Sequence, residues 1–140
     1  MASKLDWDGD EVLADFERAV SVALRDTSDL VASRIRRTMP GQGASVRQGT
    51  GGDTKRRAVY TPSNPGQPPG VRSETLQSSV VNEMLTPTRA IIGTNQPYAK
   101  HLEFGTRNMS KRPFLLPGFK KSRKRAVSRF RKVLAQQAGI

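Results

Sequence analysis

Cysteine is absent from the 140 residues, and histidine occurs once, at His101. The first absence removes disulfides, thiol nucleophiles and cysteine-bound zinc together, and it fits a reducing compartment. The second leaves no partner for the two-histidine HExxH zinc pattern. Aromatic residues make up 6% of the chain and apolar residues 35%. The length suits one domain of ordinary size, but its core must be thin. Much of the apolar content is then expected on a few amphipathic elements, with part of the stability coming from neighbours in an assembly. No apolar run approaches the ~20 residues that span a bilayer. The opening MASKLDWDGDEV is acidic and carries no apolar h-region, so it does not read as a signal peptide. The expectation is a soluble protein made in the cytoplasm, with no membrane partner.

Acid is also scarce, and its scarcity is local. Eight of the twelve acidic residues lie before Val31, whereas eleven Lys or Arg and no acid follow Glu103. The net charge is +12. Such asymmetry points the C-terminal part toward a negative partner, either nucleic acid or an acidic protein surface. The plainer alternative is a solvated helix face.

What is present reads as an α+β domain spanning residues 1–140. A long helix is expected over 10–39, because Val12/Leu13, Phe16, Val20, Leu24, Val31 and Ile35 recur at helical spacing. Asp8 or Asp10 suits its N-cap, and Pro40-Gly41 stops it. Residues 40–70 are dominated by Gly, Pro, Ser, Thr and Gln, too long a stretch for a quiet loop. They read as an extended arm, or as a hairpin joining Ser45–Arg47 to Ala58–Tyr60 across a glycine turn. The GTGG within it is not a phosphate-binding loop, since no Gly-Lys-Ser/Thr follows. Ser73 suits the cap of a short helical turn. SSVVNEML and TRAIIGT then alternate as two half-buried strands joined at Thr86-Pro87. A short helix is expected from Tyr98 to Phe104, with Gly105 as its left-handed exit. From about Pro117 to Gln137 a basic helix carries the stripe Phe119, Ala126/Val127, Phe130 and Val133/Leu134. Together these give a long N-terminal helix and a basic C-terminal helix packed on a small antiparallel sheet, with a long Gly/Pro-rich arm.

The densest stretch is YAKHLEFGTRNMSKRPFLLPGF, Tyr98 to Phe119. As an active site it is poorly equipped. His101 and Glu103 are two residues apart and do not face each other on a helix, and nothing resembles a nucleophile elbow. As a nucleic-acid grip it lacks zinc-finger spacing and ribonucleoprotein aromatics. As a structural joint it is coherent. Tyr98, Leu102 and Phe104 are expected to pack inward, and Gly105 to turn the chain. Arg112 to Pro117 is expected to be extended, because each proline keeps its predecessor out of the α region.

At these residues the chain resembles the tail-completion, or head–tail joining, proteins of tailed bacteriophages. The resemblance is carried by Ser73, Leu76 and Ser79; by Gly93, Thr94, Tyr98 and Ala99; by Glu103, Phe104, Gly105 and Thr106; and by Arg112, Pro113, Phe114, Leu115 and Pro117. It covers roughly Pro68 to the C-terminal end. Where the family has Thr-Gly before its first leucine, Ser73-Glu74 stands here. The resemblance implies a non-catalytic α+β subunit without cofactor or metal. It implies a ring, hexameric by default, in the virion neck. Head-closure or adaptor, tail-terminator or tail-tube proteins would be its neighbours, and DNA in the channel a non-specific contact. Such a protein is in the host cytoplasm during assembly and in the virion afterwards.

On this reading Glu103, Phe104, Arg107, Arg112, Phe114 and Leu115 are candidates for a subunit interface. Arg47, Lys55, Arg56, Arg57 and Tyr60 belong to a partner-binding arm. Lys120, Lys121, Arg123, Lys124 and Arg125 form a basic face toward a channel or DNA. The alternative is a small basic protein that binds DNA without sequence preference.

Overall fold

The structure is a computed structural model that describes residues 8–39, 44–45, 59–60, 63–70 and 75–139. It is α+β. Helix α1 (Gly9–Thr38) is followed by the short strands β1 (Ala44–Ser45) and β2 (Val59–Tyr60) and by the one-turn helix α2 (Thr75–Ser78). Strands β3 (Val80–Thr86) and β4 (Arg89–Thr94), the short helix α3 (Ala99–Phe104) and helix α4 (Leu115–Ala138) complete it. β1 pairs with β2 and β3 with β4, both antiparallel, as two separate sheets.

α1 starts where the sequence places it. The Asp8 carboxylate accepts from the Asp10 and Glu11 N–H groups at 3.1 and 3.2 Å, and both of those residues add negative charge to the positive helix end. It ends at Met39, which is extended (φ −79°, ψ 115°), as the residue before a proline prefers to be. α1 and α4 run antiparallel. Ile35 sits on Gly118, Asp26 pairs with Arg129, and the Phe16 turn lies beside Gln137 and Ala138.

The β3–β4 hairpin lays one face on α1. Val80, Asn82 and Met84 point inward, whereas Val81, Glu83 and Leu85 are exposed. Polar ties fix its position, which matters because a one-residue slip would turn every side chain to the other face. Arg36 Nη1 donates to Val80 O (3.2 Å), and Asn82 Nδ2 donates to Ser28 Oγ (2.8 Å). Gln77 Nε2 donates to Arg36 O (2.9 Å). The hydroxyls of Ser79 and Thr94 share a hydrogen bond of 2.6 Å across the open end of the hairpin.

The core gathers at one end of the helix pair. Val31, Ile35 and Met39 of α1 meet Leu76, Val80, Ala99 and Phe114 there, with Leu102, Leu115 and Ile92 partly buried around them. Phe114 and Val80 are completely buried. Toward the other end the helices bury mainly small residues, Ala19 and Ala23.

One expectation is narrowed and two need correction. The apolar stripe of α1 suits either core or a subunit interface; Val12, Leu13 and Phe16 are 48%, 62% and 55% exposed, so this part of it is not core of the subunit, and α4 ends beside them and leaves them uncovered. The buried stripe of α1 in this half is instead Ala19, Ala23 and Thr27. On α4, Phe119 and Val127 are half-exposed, and the buried residues are Gly118, Ser122 and Val133. The cause is close approach of the helices: a Cβ on Gly118 would lie 2.8 Å from Ile35 Cγ1. Finally, the segment from Arg112 to Pro117 is not extended throughout, since α4 begins at Leu115.

Candidate functional site

Two of the segments that carry the family resemblance, Glu103–Thr106 and Arg112–Pro117, meet in one corner, and its centre is Glu103. A helix leaves its first four N–H groups without intrahelical partners. α4 has no acid in its first turn and no side-chain cap from its own N-cap residue, Phe114. Glu103, on α3, supplies what is missing. Its Oε2 accepts from the N–H groups of Phe114 (2.8 Å) and Leu115 (3.1 Å), and its Oε1 from Leu116 N–H (3.0 Å). The next residue is Pro117, which has no N–H to satisfy. Gly118 N–H then makes the first internal bond, to Phe114 O. Every orphan donor is thus either bonded or removed. The carboxylate also places a full negative charge at the positive end of the helix dipole. This outweighs the bias against helix at Leu116, the residue before Pro117.

Gly105 makes this geometry reachable. It closes α3 with φ 78° and ψ 177°, its N–H bonded to His101 O. The expected positive φ is present, although ψ is not that of a left-handed helix. A Cβ there would lie 2.9 Å from Met109 O and 3.0 Å from Lys111 N, so the site admits only glycine without strain. Thr106 and Met109 bridge a tight turn, Arg112 N–H returns to Leu102 O (2.7 Å), and Gly66 N–H bonds to Lys111 O (2.9 Å). The result is a stapled loop that aims Glu103 at α4.

The six interface candidates divide on these grounds. Phe114 is completely buried in the subunit, so it has no surface to offer a neighbour, and Leu115 packs half-buried against the same core. Glu103 is engaged by the α4 cap. Arg112 is tied through its backbone, and its buried Nε has no hydrogen-bond partner among the described residues. Arg107 is exposed on the turn. Phe104 was expected inside but is 80% exposed. It stands two residues, about 200° of helix, from the inward-facing Leu102. Tyr98, also expected inside, is 41% exposed.

Lys120, Lys121, Arg123, Lys124 and Arg125 are all exposed, and none makes an ion pair among the described residues. Farther along α4, Arg129 forms a two-bond pair with Asp26 (2.6 and 3.0 Å). That hydrogen bond holds the Asp26 carboxyl below the usual range against the opposing effect of burial, and the guanidinium charge adds a smaller push in the same direction as the bond. The arm candidates Arg47, Lys55, Arg56 and Arg57 lie outside the described residues. Tyr60 pairs with Ala44, which supports a hairpin between the two short segments.

A groove of about 630 Å³ opens beside Val12, Phe16 and Ala19 on α1 and Gln137 on α4. Its charged lining residues, Asp15 and Arg18, pair with each other on the surface. Among the described residues no three His, Asp or Glu side chains gather as metal ligands, and no helix is long and apolar enough to cross a membrane. The exposed His101 has no carboxylate partner among them. No known family, curated protein or solved structure matches this chain.

The role of Glu103 escaped sequence reasoning, although a signal was present. A helix that opens on Phe-Leu-Leu-Pro, with no Ser, Thr, Asp or Asn before it, needs acceptors from elsewhere. Glu103 is the only acid in the last fifty-seven residues of the chain, after Glu83.

Proposed function

We propose that this chain is a structural subunit of the neck of a tailed bacteriophage, forming a ring that joins the DNA-filled head to the tail. The corner at Glu103 carries the reading. The LEFGT and RPFLxP segments that resemble the tail-completion proteins have one joint physical purpose here. The Glu caps, the Gly turns, the Phe fills the core and the second Pro removes an unpaired donor. Residues that depend on one another in this way make a more specific pattern than either segment alone. A thin core and a two-helix end lined by alanines also suit a subunit that gains stability from neighbours.

The test is assembly. Lysates lacking the protein are expected to accumulate filled heads and free tails, which join when purified protein is added. Negative-stain images of the purified protein should show discrete rings, a hexamer by default. Complete virions formed without the protein would refute the proposal.

A second reading, non-specific DNA binding, is favoured by one observation, the cluster of five cations Lys120, Lys121, Arg123, Lys124 and Arg125 on α4, none of them ion-paired among the described residues. If each neutralised one phosphate, the slope of log affinity against log salt would be about −4 to −5. A flat salt dependence would dismiss it.

A further inference from the structure

We infer that copies of this chain dock head to tail, the acidic end of α1 on one copy meeting the basic end of α4 on the next. The inference rests on the ring reading above and adds which surfaces meet.

One end of the molecule carries the exposed acids Asp10, Glu11 and Glu17, together with Asp15 in its surface pair with Arg18, around the uncovered side chains of Val12, Leu13 and Phe16. The other end carries Lys120, Lys121, Arg123, Lys124 and Arg125 beside Leu116 (55% exposed), Phe119 (49%) and Phe104 (80%). Phe104 belongs to this group because its neighbour Glu103 holds the Leu116 N–H. Each end therefore has an apolar centre flanked by charge, the usual anatomy of a protein interface. The charges at the two ends are opposite, which steers encounter and fixes orientation.

The two ends cannot satisfy each other within one chain. The helices are antiparallel, and Gly118 sits on Ile35, so the cations lie some twenty residues along α1 from its acids. That is about 30 Å, several Debye lengths at physiological salt. Meanwhile the cation cluster works against its own helix. Lys120 and Lys124, and Lys121 and Arg125, are like-charge pairs one turn apart. Duplex DNA would neutralise these cations, but it would leave the aromatic and leucine side chains uncovered and give the acidic end no role. A second copy accounts for both ends. Because the two patches differ, the contact is heterologous, and repetition closes into a ring or continues as a filament.

The test uses two variants of the full chain, with helix content checked by circular dichroism. One carries Asp10→Lys, Glu11→Lys and Asp15→Lys; the other carries Lys120→Glu, Lys121→Glu and Lys124→Glu. By sedimentation at low and physiological salt the native chain is expected to form large species. Each variant alone should associate about tenfold more weakly or worse. Mixing the two in equal amounts should restore assembly, since their ends are again complementary. If both variants assemble like the native chain, the inference falls while the ring reading stands. A native chain that stays monomeric would overturn the inference, and the head–tail joining assay then decides the ring reading separately. If that monomer also binds a short DNA duplex and the Lys→Glu variant does not, the basic end belongs to nucleic acid.

Discussion

Replacing Glu103 with alanine strips three backbone donors of their acceptor at once. The three losses are unequal. Phe114 is completely buried, so water cannot readily replace the carboxylate at its N–H; an unsatisfied buried donor costs about 1–3 kcal/mol. Leu116 is 55% exposed, and its N–H is more easily hydrated. Loss of a helix cap in general costs about 0.5–2 kcal/mol. Taking the Phe114 donor at the full penalty and the others as an ordinary cap, the substitution is expected to destabilise the subunit by about 1.5–5 kcal/mol. Against a total of about 5–15 kcal/mol this is a large share. Glu103→Gln keeps one oxygen acceptor but loses the charge, and should fall between alanine and the native residue. Urea unfolding followed by far-ultraviolet circular dichroism reads both. The midpoint should fall in the order native, Gln, Ala, with the slope unchanged. An alanine variant within about 0.5 kcal/mol of native would show that the carboxylate does not hold the corner together.

Three further outcomes follow from other contacts. Gly105→Ala must place a Cβ 2.9 Å from Met109 O at a φ of 78°, and should lower stability by about 1–3 kcal/mol in the same unfolding assay. Gly118→Ala gains about 1 kcal/mol of helix propensity but pushes a methyl to within 2.8 Å of Ile35 Cγ1 and 3.1 Å of its Cα; a net loss in melting temperature is expected, larger for Gly118→Val. Asp26 has its folded pKa lowered by Arg129, so the pair stabilises the fold above the unfolded carboxylate pKa and ceases to do so as pH falls through the lower folded value. The gap in melting temperature between native protein and Arg129→Met should be present near neutral pH and close in acid; a gap that widens in acid would contradict the assigned direction.

The sequence made some of this architecture legible and hid the rest for physical reasons. α1, the β3–β4 hairpin, α3 and α4 were readable because their periodicities extend over many residues and their punctuation is strong, at Asp8, Pro40, Pro87 and Gly105. The buried faces were harder to read. Sequence patterning weights large apolar side chains, yet α1 and α4 approach through Gly118, Ser122, Ala19 and Ala23, which small size rather than hydrophobicity selects. Val12, Leu13 and Phe16 continue a helical stripe past the end of α4, and a stripe does not reveal where its partner stops. Glu103 read as a charge for a subunit interface and not as a cap, because its contacts depend on how Gly105 folds the chain back. Phe104 was misplaced because its neighbour Leu102, rather than Phe104 itself, turns inward.

The pairing of α1 with α4 also sets an order of events on the ribosome. The two helices are separated by roughly 75 residues of chain. At about 5–20 residues per second, α1 is complete some 4–15 s before Leu115 is added. During that interval its half of the interface, Ala19 through Ile35, has no partner. The local β3–β4 hairpin is made before α4 and can form within microseconds. α4, made after every other described element, is thus the one that closes the fold, and its strongly basic surface emerges only as the interior is sealed.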